Sequence, residues 1–151
     1  MSTANSPAWN AALTVSQEAV DLRRELAAVN RDAYLPDLAG SVNNHAVRLA
    51  EVGRRGEAVT VSEEAVDLYR ELAAVNRDAY LPNLAAALLI YALVRKHLEE
   101  ADKSEAIRAA AEARSLFSQL ATSMPDAFQD KANQAGQLVR ELGEDPDEES
   151  G

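Results

Sequence analysis

Apolar residues recur every three or four positions through most of the chain. One such series consists of Ala19, Leu22, Leu26 and Val29, and a second consists of Ala65, Leu68, Leu72 and Val75. This spacing places the side chains on one face of an α-helix, while charged residues between them occupy the face toward water. The sequence has no alternating run of β-branched residues and no Asn-Gly turn, so it predicts helices and no strands.

The pattern divides into six helices joined by short turns. Asn30-Arg31-Asp32 and Asn76-Arg77-Asp78 interrupt the apolar series with turn-forming residues, and Pro36 and Pro82 fit only near the start of a following helix. Connections this short predict antiparallel neighbouring helices. The predicted helices span about residues 8–29, 33–52, 57–75, 79–100, 103–122 and 127–142.

A repeat underlies this pattern. The thirteen letters "RELAAVNRDAYLP" occur at residues 24–36 and again at residues 70–82, 46 positions later (70 minus 24). Residues 14–39 match residues 60–85 with three changes, and residues 111–128 are a weaker third copy of residues 63–80, shifted by 48 (111 minus 63). The changes are Gln17 to Glu63, Arg23 to Tyr69 and Asp37 to Asn83. Because a two-helix unit cannot bury its apolar stripe alone, the units are expected to stack.

The segment "LAGSVNNHAVRLAEVGRRGEAVTVSEEAVDLYRELAAVNRDAYLP" resembles a tetratricopeptide repeat of the longer kind found in actinobacterial regulatory proteins. Small residues at Ala46, Ala58 and Ala65 carry the resemblance, together with Gly53 and the "GRRGEA" turn. Gly53 is expected to end its helix in a left-handed cap. The resemblance implies an all-α, right-handed solenoid of helix-turn-helix units that binds other proteins, within or derived from a larger regulatory protein.

The sequence departs from the family's pattern at several positions. Arg31 and Arg77 stand where the family has proline after the asparagine, and Pro125 alone retains it. Glu99 stands where Gly53 would align, in a turn lengthened by two residues. The chain also begins with a helix of the second type and ends with one of the first type, so both ends lack the neighbour that the repeat would supply.

Tetratricopeptide arrays bind peptides or helices on a concave surface formed by the first helix of each unit, and the resemblance carries this role onto three columns of residues. The asparagines offer both a donor and an acceptor to a polypeptide backbone, and the alternative is a solvated polar face without a ligand. Basic residues early in the helix are missing, so a carboxylate clamp is not expected. The columns are Asn43, Leu89 and Asn133; Asn44, Ile90 and Gln134; and Val47, Leu93 and Gln137, with Lys96 and Arg140 near the helix ends.

Two apolar features allow either a core or an interface role. The stretch "LAAALLIYALV", residues 84–94, is apolar on nearly every side, which favours burial in the core and otherwise an exposed docking patch. Trp9 either packs into the core or lies at an interface. Near-identical units could also exchange helices or stack end to end, so a homo-oligomer is a second hypothesis.

Composition restricts the partners. The net charge is −10, and five of the 25 acids (Glu144, Asp145, Asp147, Glu148 and Glu149) lie in the terminal "EDPDEESG". The remaining 20 acids against 15 basic residues leave a body charge of −5, which disfavours nucleic acid and anionic membranes. No apolar stretch reaches the roughly 18 residues of a membrane span. The absence of cysteine and of a secretion signal favours a cytoplasmic location.

The sequence gives little support to catalysis. His45 and His97 lie on different predicted helices with no ligand at metal-binding spacing, and no phosphate loop or nucleophile motif is present. We therefore expect no metal, cofactor or enzymatic activity. The predicted organisation is a flexible N-terminus at residues 1–7, a helical repeat domain at residues 8–143 and a disordered acidic tail at residues 144–151. The predicted function is a protein-interaction scaffold, with self-assembly as the alternative.

Overall fold

The computed structural model describes residues 7–98 and 102–143, and within them it contains helices and no strand. The predicted all-α organisation in six helices is confirmed. The N-terminal segment, residues 1–6, and the predicted acidic tail, residues 144–151, lie outside the described residues, as do residues 99–101. The helices are α1 (Pro7–Val29), α2 (Arg31–Glu51), α3 (Arg55–Val75), α4 (Arg77–Lys96), α5 (Ser104–Ser123) and α6 (Pro125–Gly143).

Helices α2 and α4 begin two residues earlier than predicted because each asparagine is a cap rather than part of a longer turn. The side-chain oxygen of Asn30 accepts a hydrogen bond from the backbone N–H of Ala33 at 3.2 Å. Asn76 does the same for the N–H of Ala79, also at 3.2 Å. This satisfies one of the backbone donors left free at a helix start. The prolines at positions 36 and 82 then lie inside the helices, close to their first turns.

The end of α2 follows the predicted cap at Gly53. Gly53 has φ +82°, in the left-handed region that glycine adopts at little cost. Its N–H donates to the carbonyl of Ala50 at 3.1 Å, and the N–H of Arg54 donates to that of Leu49 at 2.9 Å. These two bonds are the Schellman arrangement, which satisfies carbonyls at the helix end. The prediction for Gly53 is confirmed.

Helix α4 ends at Lys96, earlier than the predicted residue 100. The N–H groups of His97 and Leu98 bond to carbonyls three residues back, those of Val94 and Arg95, at 3.2 and 3.1 Å. Bonds of this kind tighten the last turn and stop the α-helical pattern. The lengthened turn that follows has no glycine to make the cap seen at Gly53.

Consecutive helices pack against each other throughout the chain, and the even-numbered helices also touch one another, α2 with α4 and α4 with α6. Alanines with no exposed surface allow the close approach, among them Ala46, Ala58 and Ala65. The apolar stretch at residues 84–94 belongs mainly to the core, since Leu84, Leu88 and Val94 are all buried. Trp9 is half-buried on α1.

Two equivalent ion pairs connect alternate helices. The guanidinium of Arg24 on α1 bonds both carboxylate oxygens of Glu64 on α3, at 2.6 and 2.7 Å. Arg70 on α3 does the same with Glu112 on α5, at 2.7 and 2.6 Å. Exposed pairs of this kind stabilise a fold by about 0.2–1 kcal/mol each. The series stops there, because the third copy has Ser118 where an arginine would continue it (70 plus 48).

Candidate functional site

The surface that the family resemblance nominates lies on α2, α4 and α6. Helix α4 packs between α3 and α5, and its remaining surface is a stripe at Asn83, Ala86, Ile90 and Leu93. Positions at the same distance from the start of each even helix continue the stripe, and we call the whole set the even-helix face. Its residues are Asp37, Gly40, Asn44 and Val47 on α2, the four named on α4, and Lys131, Gln134 and Glu141 on α6.

The centre of the even-helix face is apolar and its margin is polar. Val47, Ile90 and Leu93 are half-buried, so part of each side chain reaches the surface. Asn44 and Gln134 are exposed and carry amides that can donate and accept hydrogen bonds. This arrangement suits contact with apolar side chains at the centre and with a polypeptide backbone at the margin.

Five of the predicted binding residues meet on this face: Asn44, Val47, Ile90, Leu93 and Gln134. Lys96 lies at its edge, where its ammonium pairs with the carboxylate of Glu141 at 2.7 Å. That carboxylate also accepts from the amide of Gln137 at 3.0 Å. Hydrogen bonds from Lys96 and Gln137 lower the pKa of Glu141, so it stays ionised near neutral pH.

Other predicted binding residues lie elsewhere. Leu89 is 4% exposed and belongs to the core, while Asn43 is half-buried with a side-chain oxygen that has no hydrogen-bond partner among the described residues. Asn133, Gln137 and Arg140 are exposed on the side of α6 that corresponds to the buried side of α4, which we call the outer side of α6.

The predicted columns are out of register in α6. Helices α2, α4 and α6 begin at residues 31, 77 and 125, so the third copy is shifted by 48 (125 minus 77). The columns had used a shift of 44 (133 minus 89), which is about one helical turn too short. The α6 residue equivalent to Asn43 and Leu89 is therefore Gln137 rather than Asn133.

Of the residues that line a groove at the N-terminal end of the array, Asn44 alone was predicted to bind a ligand. The groove encloses about 510 Å³ and is lined mainly by small and apolar residues of α1, together with polar residues of α2. Val15, one of its lining residues, is 65% exposed. The sequence signal was present, because the first described helix is of the second type and no described helix precedes it. The lining residues are Ala11, Ala12, Val15, Ser16, Ala19 and Arg23 on α1, and Ser41, Asn44 and Arg48 on α2.

The two histidines have different surroundings. His45 is 5% exposed, and its Nδ1 lies 2.7 Å from the Ser16 hydroxyl oxygen. The Ser16 hydroxyl also donates to the carbonyl of Leu13 at 2.9 Å, and because it has one proton, we assign the proton of the His45–Ser16 bond to Nδ1 of His45. Burial, aided by the nearby charge of Arg54, lowers the pKa of His45. His97 is exposed beyond the end of α4.

Neither histidine belongs to a metal site in the part of the chain that the structure describes. Among residues 7–98 and 102–143, no group of three or more histidine or carboxylate side chains is placed to hold a metal ion. The described helices also include none that is both long and apolar enough to cross a bilayer.

Comparison with known proteins returned no match: no family model, curated protein or solved structure matches this chain. The resemblance to tetratricopeptide repeats therefore rests on the residues of the chain and on the internal repeat.

Proposed function

We propose that this chain is a non-enzymatic protein-interaction module that binds a peptide or a helix on the even-helix face. The proposal includes a finer architecture, in which antiparallel helix-turn-helix units form a tetratricopeptide-like, right-handed solenoid with this face on its concave side. The internal repeat, the single-residue connections at Asn30, Asn76 and Met124, and the packing of consecutive helices support this arrangement. In this view the module belongs to a larger regulatory protein.

The observation that carries the proposal is the part-exposed apolar stripe on α4. Ile90 and Leu93 keep accessible surface on a helix whose other sides are enclosed by α3 and α5. The amides of Asn44 and Gln134 lie on the neighbouring even helices. Apolar side chains that contact a ligand in the centre, with polar groups around them, give a protein interface both its affinity and its orientation.

Self-assembly, the alternative function, could occur by helix exchange or by end-to-end stacking. End-to-end stacking has the less support of the two. End-to-end stacking would place α6 of one copy against α1 of the next. The outer side of α6 presents Gln129, Asn133, Gln137 and Arg140, all exposed. Burying these polar groups without matched partners would cost free energy, so α6 is poorly suited to that contact.

A peptide selection tests the proposal. Random peptides of about 15 residues would be selected against the full chain, and the binding of the selected peptides would be mapped by NMR amide shifts. We expect shifts centred on Val47, Ile90 and Leu93. Replacing Ile90→Ser and Leu93→Ser together should weaken binding at least about tenfold, which corresponds to about 1.4 kcal/mol.

Met124→Ser is the matched control, because Met124 is 52% exposed and lies between α5 and α6, away from the even-helix face. This variant should bind the selected peptides like the original chain. Circular dichroism would establish that both variants keep their helix content. Peptide binding that survives the double substitution on α4 would contradict the proposed binding face.

A further inference from the structure

A groove lies at the equivalent place in each of the three copies of the repeat, and among the described residues the first of them is open. Each odd helix forms a groove with the even helix that follows it. In the groove of α3 and α4, Ala58 and Ala65 are fully buried and Tyr69 is 6% exposed. In the groove of α5 and α6, the equivalent Ala106, Ala113 and Phe117 are no more than 2% exposed. In the groove of α1 and α2, the equivalent Ala12, Ala19 and Arg23 are only half-buried.

The preceding even helix covers the two closed grooves. Helix α2 packs on α3 and touches α4, and α4 packs on α5 and touches α6. Equivalent positions on α4 and α6 identify the side of the helix that makes this contact. Leu81, Ala85, Leu89 and Ala92 of α4 are buried, whereas Gln129, Asn133, Gln137 and Arg140 at the same positions of α6 are exposed. The corresponding residues of α2 are Leu35, Ala39, Asn43 and Ala46.

We propose that the open groove of α1 and α2 binds one amphipathic helix of another polypeptide, seated as α2 is seated on α3 and α4. Residues 14–29 differ from residues 60–75 only at positions 17 and 23, so α1 offers nearly the same surface that α3 offers to α2. A complementary helix has a large apolar residue at its fifth position and alanine at its ninth and sixteenth, as α2 and α4 do.

Charge adds a requirement at the start of the bound helix. Arg31, the first residue of α2, pairs with Glu71 of α3 at 2.6 Å. Arg77, the first residue of α4, donates to Gln119 of α5 at 3.2 Å. The equivalent residue of α1 is Glu25, which is exposed. A bound helix that begins with arginine would therefore place a cation beside Glu25.

Within residues 14–29, Arg23 is the one lining residue of the groove that differs from its equivalent in α3, and we expect it to set the specificity of the groove. Arg23 takes the place of Tyr69 and Phe117, and it donates to the hydroxyl of Ser41. In the second groove, the hydroxyl of Tyr69 lies against Gly40, the tenth residue of α2. A Cβ atom at position 40 would lie 3.5 Å from that hydroxyl oxygen. A helix bound at the first groove would bring its tenth residue to Arg23. We therefore expect the partner helix to carry Asp or Glu at that position.

A second copy of this chain is a weaker occupant. Its α6 is the even helix without a following helix among the described residues, and that side of α6 is polar. Its α2 and α4 are already covered on the matching side by its own α3 and α5. The partner is therefore a separate helix with the apolar spacing of α2, an arginine at its start and an acid at its tenth residue.

The test uses the full chain and two synthetic peptides. The first is residues 30–51 of this sequence, and the second is the same peptide with Gly40→Glu; each is also made in a helix-stapled form, with the staple on the side away from α3. Isothermal titration and NMR would measure binding. We expect saturable binding with amide shifts at Ala12, Val15 and Ala19, and a several-fold preference for the Gly40→Glu peptide. An Arg23→Tyr chain should reverse that preference.

Two valines on α1 provide the matched variants. Val15→Asp places a charge in the groove and should weaken peptide binding at least about tenfold, whereas Val29→Asp, at a position 89% exposed near the end of the helix, should leave it unchanged. Glu25→Arg should weaken binding about two- to fivefold. A peptide with Arg31→Glu should restore it.

Three results would overturn the proposal. One is the absence of binding by all four peptide forms at concentrations up to about 1 mM. Another is binding that Val15→Asp does not weaken. The third is a dimer of the chain, seen by analytical ultracentrifugation, that Val15→Asp dissociates, because the occupant would then be a second copy. Amide shifts at Ile90 and Leu93 report binding at the even-helix face instead. The experiment therefore distinguishes a failure of this proposal from a failure of the proposed function.

Discussion

His45 links the packing of a single residue to the pH dependence of the fold. Burial and the charge of Arg54 lower its pKa, and the carboxylates of Asp21 and Glu57 oppose this effect in part. In the unfolded chain the imidazole titrates near its ordinary value of 6.5. As the pH falls below that value, the unfolded chain binds more protons at His45 than the folded chain does, so the folded state loses stability.

We expect the free energy of unfolding of the original chain to fall more steeply between pH 7 and pH 5 than that of a His45→Gln variant. Glutamine keeps an N–H that can donate to Ser16 but does not titrate. Urea denaturation at several pH values would measure both slopes. Carboxylates that titrate in this range affect both proteins alike, so parallel slopes would contradict the role assigned to His45.

Gly53 and Gly56 form a second test at the scale of residues. Gly53 has φ +82°, where alanine is strained, while Gly56 lies in the first turn of α3 with open space around it. We expect Gly53→Ala to lower the free energy of unfolding by about 1–2 kcal/mol. Gly56→Ala should be neutral or raise it by up to about 1 kcal/mol. Equal effects of the two substitutions, measured by urea denaturation, would exclude a special backbone role for Gly53.

At the scale of helices, the sequence predicted which segments are helical better than where they begin. Periodicity identified all six, because each buries one apolar stripe. The starts of α2 and α4 were placed two residues late, since Asn30 and Asn76 look the same in a turn and in a cap until the hydrogen bond to Ala33 or Ala79 is seen. The binding columns are out of register in α6 for a different reason: they used a shift of 44, although the comparison of residues 63–80 with residues 111–128 gives a shift of 48.

The identical helix segments allow one substitution to be compared in two settings. Leu22 on α1 is 56% exposed, whereas its equivalent, Leu68 on α3, is half-buried against the core. We expect Leu22→Ala to change the free energy of unfolding by less than about 0.5 kcal/mol and Leu68→Ala to lower it by about 1–2 kcal/mol. Chemical denaturation of both variants measures the difference. Similar losses would mean that something covers Leu22 as it covers Leu68.

At the scale of the molecule, the array has unlike ends. Its C-terminal end presents the polar outer side of α6, and the Arg-Glu series between alternate helices stops at Ser118. Its N-terminal end presents the open groove of α1 and α2, with Val15 and Leu22 exposed. The sequence predicted a second-type helix at the first position of the array and a first-type helix at the last, but only the burial of equivalent residues distinguished the polar end from the open one.

Hydrogen exchange of α1 and α3 tests most directly whether the first groove is open. Residues 14–29 and 60–75 differ at two positions, so their amides have nearly the same intrinsic exchange rates. Helix α3 packs against both α2 and α4, whereas α1 packs against α2. Fewer packing contacts lower the free energy of local opening. We expect the amides of α1 to exchange at least about tenfold faster than their equivalents in α3, a difference of about 1.4 kcal/mol. Equal protection of the two segments in dilute solution would contradict an open first groove.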